Sequence, residues 1–142
     1  MRYTDIDRAT FSERELAEAF GFGRYAIRNW TRPQFGYLPD REGQRMDVAY
    51  AMQVYALAKF IALGLAGPSA KDAAAAVAPV MMKWLKGHAR PKLVFVSSSG
   101  RIIPVPKRLD KLPVPGPIGI VVDLEYAATF VRDRLQQIVE KR

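Results

Sequence analysis

Hydrophobic and polar positions follow a helical spacing over most of the first 90 of the 142 residues. In residues 12–20 the apolar side chains fall on one face of a short helix. Ser12 and Glu15 have the spacing of a capping box, in which each side chain binds a free backbone N–H at the helix start. Gly21 follows and allows the left-handed turn that ends a helix sharply.

A second helix is expected to begin near Gly23, with Ile27 and Trp30 facing inward at a spacing of three residues. Its outward residues are Arg24, Tyr25, Arg28 and Asn29. Arginine and asparagine are the side chains that pair with guanine and adenine edges in the major groove of DNA. This pattern predicts a DNA recognition helix, and the alternative is a helical hairpin with solvated arginines.

Residues 11–76 resemble the DNA-binding domain of the MerR family of transcription regulators, a helix-turn-helix followed by a wing and two further helices. The positions that carry the resemblance are Ala17, Gly21, Ile27 and Arg28. The resemblance identifies Arg28 as a DNA-contacting residue. Where the family has an aromatic pair after that arginine, this chain has Asn29 and Trp30.

Two prolines and a glycine in residues 31–39 predict the first arm of a wing. Residues 40–43 would form its turn, and residues 44–46 its second arm. Arg41 and Arg45 would then approach phosphates, unless this region is an ordinary solvated loop. The complete set of candidate DNA contacts is Arg24, Tyr25, Arg28, Asn29, Arg32, Arg41 and Arg45.

Two further helices are expected before residue 90. Asp47 would cap an apolar, buried helix over residues 48–63. A capping-box-like pattern at Ser69 opens the next helix, which Pro79 is expected to break or kink before a last piece ending at Gly87. Residues 1–90 are therefore assigned to a MerR-like winged helix-turn-helix DNA-binding domain.

Residues 91–142 are expected to form a small β-rich segment and a C-terminal helix, so that the fold class is mainly α with a small β component. Residues 93–96 and 102–105 predict a hairpin with Pro104 at its edge, and residues 118–122 a third strand after the proline-rich residues 113–117. Asp123 would cap the last helix. Its coiled-coil-like seam, predicted to join two copies, is Leu124, Ala128, Val131, Leu135 and Ile138. The alternative is packing on the chain's own sheet.

The net charge of +8 favours a polyanionic partner. Residues 1–47 contain eight arginines and eight acidic residues, so their basic character is local, in residues 24–45. A second basic stretch has no assigned role and comprises Lys83, Lys86, Arg90, Lys92, Arg101, Lys107, Arg108 and Lys111. The chain has no cysteine and one histidine, His88, so we assign no metal and no cofactor.

No catalytic motif is present, so an enzyme is not expected. Neither a signal peptide nor an uninterrupted apolar span is visible, which predicts a cytoplasmic protein without a membrane partner. The predicted function is a homodimeric, sequence-specific transcription regulator that binds double-stranded DNA at a near-palindromic operator. The resemblance further implies RNA polymerase as a partner. An alternative is an architectural DNA-binding protein, excisionase-like or small-terminase-like.

Overall fold

A computed structural model describes residues 6–41, 43–87, 91–105 and 119–142 of the chain. The described residues are mainly helical with a small antiparallel sheet, which confirms the predicted mainly α composition with a small β component. The helices are α1 Glu13–Phe20, α2 Ala26–Trp30, α3 Val48–Ala62, α4 Gly67–Leu85 and α5 Leu124–Glu140. The strands are β1 Leu93–Ser97, β2 Ile102–Pro104 and β3 Gly119–Asp123.

Some sequence predictions concern residues outside the described ranges. They are Glu42 in the expected wing turn, His88, four basic residues of the second basic stretch (Arg90, Lys107, Arg108 and Lys111), the proline-rich residues 113–117 and Ile118 at the expected start of the third strand.

Helix α1 begins with the predicted capping box. The Glu15 amide donates to Ser12 Oγ at 3.1 Å, and the Ser12 amide donates to Glu15 Oε1 at 2.9 Å. Gly21 ends the helix with φ 76°, a left-handed conformation that costs glycine little. Helices α3 and α5 are capped as predicted, by Asp47 and Asp123. Local side-chain chemistry therefore defines three of the helix starts.

Helix α4 differs from the prediction in the residue at which it begins and in its continuity at Pro79. It begins at Gly67 rather than Ser69, its N-cap Ala66 has no side-chain cap, and Pro68 lies in the first turn. Proline suits that position because its fixed φ is helical and the missing N–H has no helical partner there. Of the break or kink predicted at Pro79, the break is wrong, because α4 continues across this exposed residue to Leu85, and the kink stays a prediction.

The three strands form an antiparallel sheet in the order β2-β1-β3. The predicted hairpin is confirmed, and Pro104 lies on the edge strand β2, where a missing amide donor is tolerated. Val94 and Val96 on the central strand are fully buried and belong to the same core as the helices. Residues on both sides of position 90 thus share one hydrophobic core.

Helix α5 packs mainly against α4 and also contacts α1 and α3. Four of the five predicted seam residues are at most 1 % exposed within a single chain: Leu124, Ala128, Val131 and Leu135. The fifth, Ile138, is partly buried against the core. The assignment of these side chains to a dimer interface is therefore corrected: the apolar face of α5 is covered by the chain's own helices, more than by its sheet.

Candidate nucleic-acid interface

Helix α2 is shorter than the sequence suggested. It begins at Ala26, because Gly23 to Tyr25 form a turn in which the Ala26 amide donates to the Gly23 carbonyl at 3.1 Å. Ile27 is buried, and Trp30 is partly buried beside Phe22, with ring centroids 5.4 Å apart. The predicted inward face is thus confirmed, although α2 has only five residues.

The four predicted outward residues, Arg24, Tyr25, Arg28 and Asn29, are all exposed. Two of the arginines lie against the Tyr25 ring, with the guanidinium carbon of Arg24 5.4 Å and that of Arg28 5.6 Å from the ring centroid. Tyr25 is 54 % exposed despite these contacts. This arginine–tyrosine cluster combines two positive charges with an accessible aromatic surface.

The predicted two-armed wing does not form in described residues 31–41 and 43–46. Met46 pairs instead with Phe11, through N–H···O bonds of 2.7 and 2.9 Å in the two directions. Both side chains are buried, so core packing favours this pairing. The 31–39 segment turns back on α2, with the Tyr37 amide donating to the Trp30 carbonyl at 2.9 Å. Tyr37 also packs so closely on Gly67 of α4 that a Cβ there would overlap its ring.

The Arg45 and Arg41 side chains form contacts within the chain, whereas the wing prediction had them approach phosphates. Arg45 donates to Thr10 Oγ1 at 3.0 Å and to the Thr10 carbonyl at 2.9 Å, and pairs with Glu15 at 3.0 Å. The Arg41 guanidinium lies 4.4 Å from the Tyr50 ring centroid and donates to the Arg45 carbonyl. These contacts hold Arg41 and residues 43–46 beside α1.

Tyr50 of α3 binds the backbone shortly before Arg41. Its hydroxyl donates to the Pro39 carbonyl at 2.6 Å. Burial, partly offset by the nearby charge of Arg41, raises the pKa of Tyr50 to about 12. The hydroxyl therefore remains a donor throughout the physiological pH range.

Glu15 joins three distant parts of the chain. Its carboxylate accepts from the Ser12 amide, from Arg45, and from Arg142 at 3.2 Å. Burial is the largest influence on the pKa of Glu15 and raises it, but the Ser12 hydrogen bond and the two arginines together lower it below the ordinary value of 4.5. The sequence indicated only the capping role, since Arg45 and Arg142 are distant along the chain.

Glu15→Gln is expected to lower the free energy of unfolding near neutral pH by about 0.5–1 kcal/mol, because glutamine retains the capping acceptor but loses both ion pairs. Since folding lowers the pKa of Glu15, its stabilisation is present above about pH 4.5 and is lost as the pH falls through the folded pKa. Urea unfolding at about pH 7 and about pH 3 should show the difference between parent and variant shrinking in acid. The same difference at both pH values would contradict this account.

A cleft of about 620 Å³ lies between α1, α2 and residues 40–41 and 43–46. Five arginines line it: Arg14, Arg24, Arg28, Arg41 and Arg45. The described lining also includes Tyr25 and two acidic residues, Glu13 and Asp40. Asn29 and Arg32 are exposed but do not line the cleft. The described members of the second basic stretch, Lys83, Lys86, Lys92 and Arg101, are exposed elsewhere.

Sequence reasoning missed Arg14 as a cleft residue, and it also missed Glu13. Its Oε2 lies 3.5 Å from Nη2 of Arg28. The contact joins two helices, so no periodicity within either helix indicates it. The cleft can therefore bind an anion, but three of its five arginines already have a carboxylate partner, and the partner of Arg28 is Glu13.

Neither a metal site nor a membrane-spanning helix is found in the part of the chain that the structure describes. There, no group of three histidine, cysteine or acidic side chains is placed to hold a metal ion. None of the described helices has both the length and the apolar character needed to cross a membrane. Comparisons with protein-family models, curated proteins and solved structures gave no match. The interpretation of the cleft therefore depends on its own geometry.

Proposed function

We propose that this chain is a DNA-binding transcription regulator of the MerR-like helix-turn-helix type, and that its arginine-lined cleft receives double-stranded DNA. The observation that carries the proposal is the cluster of Arg24, Tyr25 and Arg28 at the mouth of a cleft lined by five arginines. The proposal concerns a single chain, because the side chains expected to join two copies lie in its own core.

The chemistry of the cluster suits a nucleic acid. Guanidinium groups form paired hydrogen bonds with phosphate oxygens and with the guanine edge. Stacking on Tyr25 limits the conformations of the Arg24 and Arg28 side chains, which reduces the entropy lost when they bind. The Arg45 and Arg41 contacts hold the opposite wall of the cleft, so their main role in this proposal is to position the loop.

Arg28→Ala is expected to weaken binding to a sequence selected from a random duplex pool by ~1–3 kcal/mol, because it removes a charged double donor. Folding should change little, since Arg28 is exposed. Fluorescence anisotropy with a labelled duplex measures the affinity, and thermal unfolding verifies the fold.

The matched control is Arg134→Ala, which removes the same charge from an exposed position on α5 that lines a separate groove between α1 and α5. It should bind DNA nearly as well as the parent. Equal affinity of the Arg28 and Arg134 variants would rule out the cleft as the DNA site.

The five-residue length of α2 supports a second candidate, an architectural DNA-binding protein of the excisionase-like or small-terminase-like kind. So short a helix presents few side chains to base edges, while the cleft arginines suit phosphates in any sequence. A regulator should prefer one selected sequence strongly over random DNA. An architectural protein should instead bend DNA and discriminate weakly, and circular-permutation gel shifts distinguish the two.

A further inference from the structure

The first turn of α1 carries two carboxylates that differ in their contacts. Glu15 caps the helix and binds Arg45 and Arg142, so it is part of the scaffold. Within the described residues, the ion pair of Glu13 is with Arg28 alone. The side chains of Glu13 and Arg28 are 38 % and 62 % exposed, and both line the cleft. Glu13 is thus placed at the binding surface and is not needed to cap its helix.

We propose that Glu13 is an internal competitor for Arg28: its carboxylate occupies the guanidinium in the free protein and opposes binding of DNA phosphates there. This inference rests on the proposed function, because it concerns the same cleft. A phosphate that approaches Arg28 also approaches Glu13, and two negative charges at that distance repel each other. Glu13 would therefore lower the affinity of the cleft for DNA of arbitrary sequence, which is a repulsive contribution to specificity.

The expected size of the change in affinity follows from the exposure of the Glu13 and Arg28 side chains. Both partners of the pair are accessible to solvent, and exposed ion pairs of this kind are weak. Removal of the carboxylate also removes its repulsion of nearby phosphates. Glu13→Gln should therefore increase the affinity for random-sequence duplex DNA by about threefold to tenfold at low salt, with a smaller gain as salt screens the charges.

The test compares Glu13→Gln with Glu125→Gln in the full chain. Glu125 is also an exposed carboxylate in the first turn of a helix, but it lies on α5 and does not line the cleft, so its replacement makes the same change in net charge without freeing a cleft arginine. The probe is a labelled random-sequence duplex about two helical turns long, measured by fluorescence anisotropy at several salt concentrations. Glu125→Gln should bind like the parent. Thermal unfolding of each variant shows whether it is folded, and Glu13→Asp, whose shorter carboxylate reaches Arg28 less well, serves as a second variant with an intermediate gain.

The coupling between the two residues is tested by adding Arg28→Gln to each variant. If Glu13 acts through Arg28, the gain from Glu13→Gln should largely disappear when Arg28 is also glutamine. Equal affinities of the Glu13 and Glu125 variants, with a parent that binds DNA, would overturn the competitor role alone. Weaker binding by Glu13→Gln would overturn it too, by making Glu13 a direct DNA ligand. A parent that binds no duplex would overturn the proposed function, and the competitor role with it.

Discussion

Leu135→Asp is expected to unfold the protein at every concentration instead of separating a dimer. The Leu135 side chain projects from α5 and is completely buried in the core. The substitution leaves a cavity and an unpaired charge in that core, which costs ~5 kcal/mol or more. A loss of this size is comparable with the whole stability of a domain of this length.

Circular dichroism and urea unfolding measure this loss, with light scattering for the mass in solution. The matched control is Gln137→Asp, which places the same charge on the exposed side of α5 and should leave the unfolding curve nearly unchanged. A folded Leu135→Asp protein of half the parent's mass would show that α5 joins two copies, against the packing described above.

Gly100→Ala should reduce the free energy of unfolding by about 2–5 kcal/mol through two separate effects. Gly100 has φ 85°, a left-handed conformation that costs alanine about 1–2 kcal/mol. A Cβ at this buried position would also overlap the backbone carbonyl of Ser69, in the first turn of α4. The hairpin turn rests directly on that helix, so neither side can yield easily.

Gly87→Ala separates the two effects in the same urea unfolding measurement. Gly87 has nearly the same φ, 81°, but a Cβ there would meet nothing within 4 Å. Only the backbone cost of about 1–2 kcal/mol is then expected. If both variants lost the same stability, the close contact between the turn and α4 would be disproved.

For the candidate site, the sequence predicted which side chains are exposed better than it predicted which residues they contact. The outward positions of Arg24 and Arg28 follow from the periodicity around Ile27, because burial of one helical face sets the direction of the others. The partners of these arginines come from elsewhere in the chain. Glu13 lies fifteen positions before Arg28, and no spacing rule connects two residues on different helices.

The wing shows how a local pattern can be overridden. Prolines, glycines and a polar turn in residues 31–46 suit a hairpin, but the backbone groups of Met46 bond to Phe11. Pairing with Phe11 brings two buried side chains together, and removal of their apolar surface from water stabilises this arrangement. Tertiary burial therefore decided which segment Met46 pairs with.

What the sequence determined by itself is mostly local. The caps at Ser12, Asp47 and Asp123 and the hairpin around Gly100 depend on residues within a few positions of one another. The apolar face of α5 was also evident from its spacing, but a stripe of apolar residues does not specify what covers it. Only the tertiary structure decided that α4, α1 and α3 cover this face, that Arg45 and Arg142 meet on Glu15, and that Glu13 faces Arg28. The physical reason is that burial and charge pairing depend on distances between residues far apart in the chain, and local patterns contain no information about those distances.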